Sequence, residues 1–174
     1  PLIGIEPSAI LSFRDEYPDL VRGDLKEKAI HLAGHVLTID EFLAGEIDNQ
    51  RIRQDSFTKR ELKIRLHGHC QQKAIASTES LKKVLSFPEN YSIDEIPSGC
   101  CGMAGSFGYE KEHYELSMKV GELVLFPEIR KTGESTCIAA SGTSCRHQIK
   151  DGTGRQALHP VEILYSALEE QADN

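Results

Sequence analysis

Five cysteines stand at positions 70, 100, 101, 137 and 145 of the 174-residue chain, and two of them are neighbours. No charged-then-apolar leader opens the sequence, so an odd set of thiols does not read as a disulfide framework. A reducing, cytoplasmic compartment is expected, where clustered thiols serve as metal ligands or redox groups. A bridge between Cys100 and Cys101 would close a strained small ring. Adjacent thiolates can instead reach one metal, or two metals of a cluster. Gly99, Gly102, Gly105 and Gly108 flank the pair, and residues free to take positive φ let N–H groups approach sulfur closely. These glycines do not follow the G-x-G-x-x-G spacing of a dinucleotide loop. Cys137 lies inside the run Thr136–Ala140 and reads as a small core residue. His69 reads as a ligand, a group orienting the site or a polar loop residue, with the last two together ahead of ligation; His67 reads more weakly still, and His159 before Pro160 as a cap. His31, His35 and His113 fall on helical stretches and receive no role.

The elements that must position these residues follow from periodicity. Leu2–Ile5 reads as a strand, with Ser8 capping a helix that carries Ile10, Leu11 and Phe13 and stops before Pro18. From Leu25 to Leu43 apolar residues recur at helical spacing, with a capping box at Thr38–Glu41. Residues 45–60 are polar and suggest a surface excursion. Leu62, Ile64 and Leu66 alternate with Lys63, Arg65 and His67 as in a half-buried strand. A helix follows with Ala74, Leu81, Val84 and Leu85 inward. Tyr91–Ile96 is a strand, and Tyr109, His113, Leu116, Val120 and Val124 mark the inner stripe of the next helix. Thr136–Ala140 is a strand, and Pro160 opens a last helix with Val161, Leu164 and Leu168 inward.

Strand, loop and helix thus repeat about five times, which indicates an α/β fold with a doubly wound, mainly parallel sheet and helices on both faces. Cys70, Cys100, Cys101 and Cys145 each follow a strand and precede a helix. Those loops share the carboxyl edge of a parallel sheet, where ligand crevices form. Helix N-termini favour thiolate over thiol there, and four gathered thiolates call for a metal or cluster.

Composition narrows the classes. The 19.3 kDa chain suits one domain; 39% hydrophobic and 27% charged residues exclude disordered and fibrous types. A net charge of -7 argues against a nucleic-acid partner, and no run is long and apolar enough to span a membrane. The chain opens on Pro1 with a strand already under way, which suggests a piece of something longer.

The string Gly99-Cys100-Cys101-Gly102, with Cys70 before it and Cys145 after, resembles the CCG cysteine-rich domain. That domain occurs in heterodisulfide reductase B subunits and in the iron–sulfur subunits of glycolate oxidase and anaerobic glycerol-3-phosphate dehydrogenase. The segments EPSAILSFRDEYPDL (6–20), HGHCQQKA (67–74), SGCCGMAGSFGYEKEHYELS (98–117), GTSCRHQI (142–149) and HPVEIL (159–164) are similar to the carboxy-terminal part of bacterial FAD-linked oxidases of the D-lactate/glycolate dehydrogenase type. The resemblance implies one CCG-type domain over residues 1–174, with Cys70, Cys100, Cys101 and Cys145 as the ligand set of an iron–sulfur cluster. It also implies electron transfer from an FAD-carrying domain outside this chain, with that domain and a further iron–sulfur region as partners. Peripheral membrane association is left open. The family pattern ends in C-x-x-C, and Gly142 takes the place of its first cysteine, which leaves four candidate ligands rather than five. Two other readings remain: a zinc-holding structural or interaction domain, and a thiol–disulfide catalyst of the heterodisulfide reductase kind.

Overall fold

The computed structural model describes residues 1–168. Its main sheet contains β3 (Leu62–His67), β4 (Tyr91–Glu95), β5 (Cys137–Ala140) and β6 (Ala157–Leu158), in the order β4-β3-β5-β6 and parallel throughout. The crossovers are α5 (Cys70–Ile75) with α6 (Glu79–Leu85), then α7 (Tyr114–Leu123) with α8 (Leu125–Arg130), then α9 (Thr143–Thr153). From β3 the chain steps outward to β4, then returns past β3 to β5 and continues to β6. Right-handed crossovers in opposite directions put their helices on opposite faces, and the buried side chains divide accordingly. Ile64, Leu66 and Ala139 pack with Leu81, Val84 and Leu85 on one face, while Ile138 and Ala140 pack with Phe126, Ile129 and Ile149 on the other. The sheet is doubly wound. Its strand order reverses direction between β3 and β5, so a crevice opens beyond their carboxyl ends.

A second, two-stranded parallel sheet joins β1 (Leu2–Gly4) to β2 (Val36–Thr38). Here the helical stretch of Leu25–Leu43 divides into two helices, the second starting at the Thr38 capping box as that motif suggests, but a strand stands between them. α3 (Asp24–Ala33) ends at Gly34, Val36–Thr38 pairs with β1, and α4 (Ile39–Asp48) starts from the Thr38–Glu41 capping box. The β-branched Val36 and Thr38 gain a strand partner that helical spacing cannot reveal. The early helix also divides, into α1 (Pro7–Ile10) and α2 (Glu16–Leu20), with Pro18 inside the first turn of α2. A proline there gives up an N–H that has no helical partner.

Other expectations need correction. Glu6, not Ser8, is the residue at the cap of α1. The helix after β3 breaks between α5 and α6, where the buried Gln72 side chain donates to the Ser77 carbonyl. In α7 the buried residues are Ser117 and Gly121, whereas Tyr109 and Leu116 are exposed. The inner face is chosen by Gln148, which donates to the carbonyl and hydroxyl of Ser117, and by the Phe126 ring lying against Gly121. Residues 45–60 are more than a surface excursion: Ile47, Ile52 and the buried Phe57 pack against the first core. In α10 (Pro160–Tyr165) and the turn after it, Ile163, Leu164 and Ala167 are buried, while Leu168 is 48% exposed.

Candidate metal centre

Three loops leave the carboxyl edge of the sheet toward one cavity of about 240 Å³, and Cys70, Cys100, Cys101 and Cys145 all line it. Cys70 is the first residue of α5, Cys100 and Cys101 lie in the loop after β4, and Cys145 is in the first turn of α9. Cys137 is elsewhere. It begins β5 opposite Ile64, half-buried rather than fully enclosed, and burial raises its thiol pKa.

Depth separates the four. Cys70 is exposed and Cys100 half-buried, whereas Cys101 and Cys145 are 3% and 2% exposed. Their protons are shared along a string. Cys100 is held far below the usual thiol range by bonds from the Cys101 and Cys70 thiols and by the Gly102 N–H, whose nitrogen is 3.3 Å from its sulfur. Cys145 is drawn down to about 5, chiefly by the Cys101 thiol, against the opposing effect of burial. Cys70 and Cys101 move upward because each donates to the Cys100 sulfur, and burial adds to this. A bound cation would release the remaining protons and neutralise the set.

The backbone is shaped for this. Gly102 has φ +102°, and a Cβ there would lie 2.2 Å from the Ser117 carbonyl oxygen. Only glycine fits. At Gly142 a Cβ would meet the His69 ring at 2.5 Å and the Cys145 sulfur at 3.1 Å; the room a side chain would take is filled by His69. Ala104, also on the cavity wall, has a left-handed φ of 42°.

Charged and polar side chains brace the loops. Lys73 donates to the Ser98 carbonyl, and Arg146 donates to the Ala140 and Ser141 carbonyls at 3.0 and 2.7 Å. Glu6 accepts from the Thr143 N–H at 2.8 Å, at the N-terminus of α9, which lowers its carboxyl pKa although burial opposes the change. His159 caps α10: Nδ1 accepts from the Val161 N–H at 3.1 Å, and Nε2 donates to the Ile5 carbonyl at 3.0 Å. Glu6 and His159 thereby hold the first residues of the chain beside the cysteine loops.

One imidazole, His69, lies on the wall, and a second, His67, is buried beside Cys101 and Cys145. His69 is the N-cap of α5, with Nδ1 accepting from the Gln71 N–H at 3.3 Å. His67, the last residue of β3, is 1% exposed; its Nδ1 lies 2.8 Å from the Ser98 hydroxyl. Among the described residues the Nε2 of His67 has no hydrogen-bond partner. One ligand atom from each of His67, Cys101 and Cys145 lies within 4.8 Å of the others. Reading from sequence puts His67 below His69, because alternation assigns it to the polar side of β3. The missed signal is that a doubly wound sheet covers both sides of its strands, so a polar residue at a strand's carboxyl end becomes buried at the crevice. Thiolates with imidazole form a soft donor set suited to zinc or an iron–sulfur centre, and a buried imidazole nitrogen without a partner is what a missing ligand leaves. The residues fit a metal group.

Among the described residues no helix is long and apolar enough to cross a membrane. The chain is similar over 97% of its length to larger enzymes. It is 29% identical over 179 residues to D-2-hydroxyglutarate dehydrogenase of Haemophilus influenzae and 28% identical over 170 residues to the enzyme of that name from Escherichia coli, spanning 16% of each. Over 168 residues it is 27% identical to a subunit of the anaerobic glycerol-3-phosphate dehydrogenase of Escherichia coli, spanning 40% of that protein. No family model matches the sequence, and no solved structure matches it. The chain is thus similar to one region of larger dehydrogenases, and its own fold brings a cysteine and histidine cluster suited to metal to the edge of a doubly wound sheet.

Proposed function

We propose that this chain, as a single CCG-type domain over residues 1–174, holds an iron–sulfur centre on Cys70, Cys100, Cys101 and Cys145. In this reading it is the electron-carrying part of a cytoplasmic, flavin-dependent oxidoreductase acting on 2-hydroxy acids. The observation that carries the reading is the convergence of four thiols from three loops on one cavity, together with similarity to 2-hydroxy-acid and glycerol-phosphate dehydrogenases. When bound, an iron–sulfur centre supplies one-electron storage and transfer. The chain's own part is to supply thiolates, aim the Gly102 N–H at Cys100, and keep water from the inner sulfurs. Such N–H donors and burial set the potential of a sulfur-ligated centre.

FAD, its dehydrogenase domain and a further iron–sulfur region would be the partners. The cavity wall offers no cationic pair for a substrate carboxylate, so substrate selection belongs to those partners. Zinc is the second reading, favoured by the enclosed His67, Cys101 and Cys145 group, since imidazole and thiolate also suit a structural tetrahedral ion. The functional test uses the whole oxidase that carries this segment. Changing Cys100 to Ala should leave rapid flavin reduction by substrate intact while slowing transfer to an external acceptor at least about tenfold. Collapse of flavin reduction with the flavin still bound would refute the relay.

A further inference from the structure

The four-cysteine reading makes no use of the imidazole buried beside the two inner sulfurs. We propose that His67 is itself a ligand of the metal centre, through Nε2, beside Cys101 and Cys145. This rests on the reading that the cavity holds a metal group, and it adds a nitrogen to a set otherwise made of sulfur.

Three observations carry it. The first is burial: His67 is 1% exposed, and among the described residues its Nε2 has no hydrogen-bond partner. Leaving such an atom unmatched in a folded interior is costly, and ligation is the use that the neighbouring sulfurs suggest. The second is orientation. Metal-bound imidazoles are usually held by a partner on the other ring nitrogen. Here the Ser98 hydroxyl sits 2.8 Å from Nδ1, and Ser98 is itself fixed by its N–H on the Ile96 carbonyl at 2.7 Å and by Lys73 on its carbonyl. The third is convergence. The ligand atoms of His67, Cys101 and Cys145 lie within 4.8 Å of one another, although they come from β3, the loop after β4, and α9. Donors about 2.0–2.3 Å from one tetrahedral ion are about 3.3–3.8 Å apart, so a small closing movement suffices.

His69 provides the contrast. Its Nδ1 accepts from the Gln71 N–H, so in the neutral ring Nε2 carries the proton and can only donate. Of these two imidazoles, His67 alone has an Nε2 free to ligate once Nδ1 donates to Ser98. A neutral imidazole at this position puts less negative charge on an iron–sulfur centre than a thiolate there would, so the centre should be easier to reduce than in a variant with cysteine in its place.

The test loads the 174-residue chain, made with ¹⁵N-labelled histidine, with Co²⁺ alone in one sample. In a second, it is reconstituted anaerobically with iron and sulfide and then reduced. Pulsed EPR should show in both a strong ¹⁵N coupling of a directly bound imidazole. That coupling should vanish in His67→Ala and persist in His69→Asn, which keeps a capping side chain. His67→Cys should bind metal without the nitrogen signal and, with iron and sulfide, show a lower midpoint potential; this variant decides the matter if His67→Ala fails to fold. Metal bound without nitrogen coupling, or with coupling that survives His67→Ala, would overturn the ligand assignment and leave the metal reading standing. Failure to bind either metal would overturn both.

Discussion

The inner and outer halves of the cysteine cavity use the same chemical groups in opposite surroundings. Inside, Cys101, Cys145 and His67 are closed off by the second core, where Met103, Ile138 and Ile149 also pack. Outside, Cys70 is exposed at the start of a six-residue helix, and Cys100 takes its N–H bond from the glycine loop. The contrast teaches that a site can be held rigidly on one side and open on the other. In the proposed reading the inner donors would set which group binds, and the outer pair how readily it exchanges and how close an electron partner comes.

The largest effect should follow from breaking the inner half. Cys101→Ser should reduce bound metal per chain at least about tenfold, measured by elemental analysis after anaerobic loading, since a hydroxyl is a poor ligand for a soft ion. Cys137→Val should leave metal unchanged and alter stability by about 1 kcal/mol; equal metal loss in both variants would show that the wrong thiol was excluded. At the outer half, Cys70→Ser should still take up metal but lose it to a chelator about tenfold faster than the parent chain. Loss as complete as in Cys101→Ser would erase the distinction between the halves.

The smallest effect concerns the brace at the mouth. Glu6→Gln removes an anion from the N-terminus of α9 and should cost about 1 kcal/mol at pH 7. The folded-state pKa of Glu6 is lowered, so its contribution is present above the ordinary carboxyl range and is lost as pH falls through the folded value. Denaturant midpoints of parent and variant should therefore converge on acidification. A gap that widened in acid would contradict the brace.

How much of this is legible in the sequence depends on whether neighbours in the chain or neighbours in space decide the outcome. Strands β3, β4 and β5 and the positions of the four cysteines relative to them follow from period-two alternation and glycine punctuation, which are local. Val36–Thr38 reads as helix because its strand partner, Leu2–Gly4, lies more than thirty residues away. The inner face of α7 is misread for a similar reason: Gln148, 31 residues from Ser117, fixes it. At the site, Cys70, Cys100, Cys101 and Cys145 can be gathered from their shared place after strands. The burial of His67 cannot, because it depends on helices covering both sides of β3. Glu6 and His159 are recognisable as helix-end residues, but their grip on Thr143 and Ile5 joins opposite ends of the chain.

The central claim is that this cavity holds a redox-active iron–sulfur centre. The most direct test is iron, acid-labile sulfide and zinc content of the anaerobically purified chain, with its absorption spectrum before and after dithionite. The account predicts iron and sulfide together in similar amounts, little zinc, and visible absorption that bleaches on reduction and returns on oxidation. Stoichiometric zinc without sulfide, and a spectrum indifferent to dithionite, would contradict it.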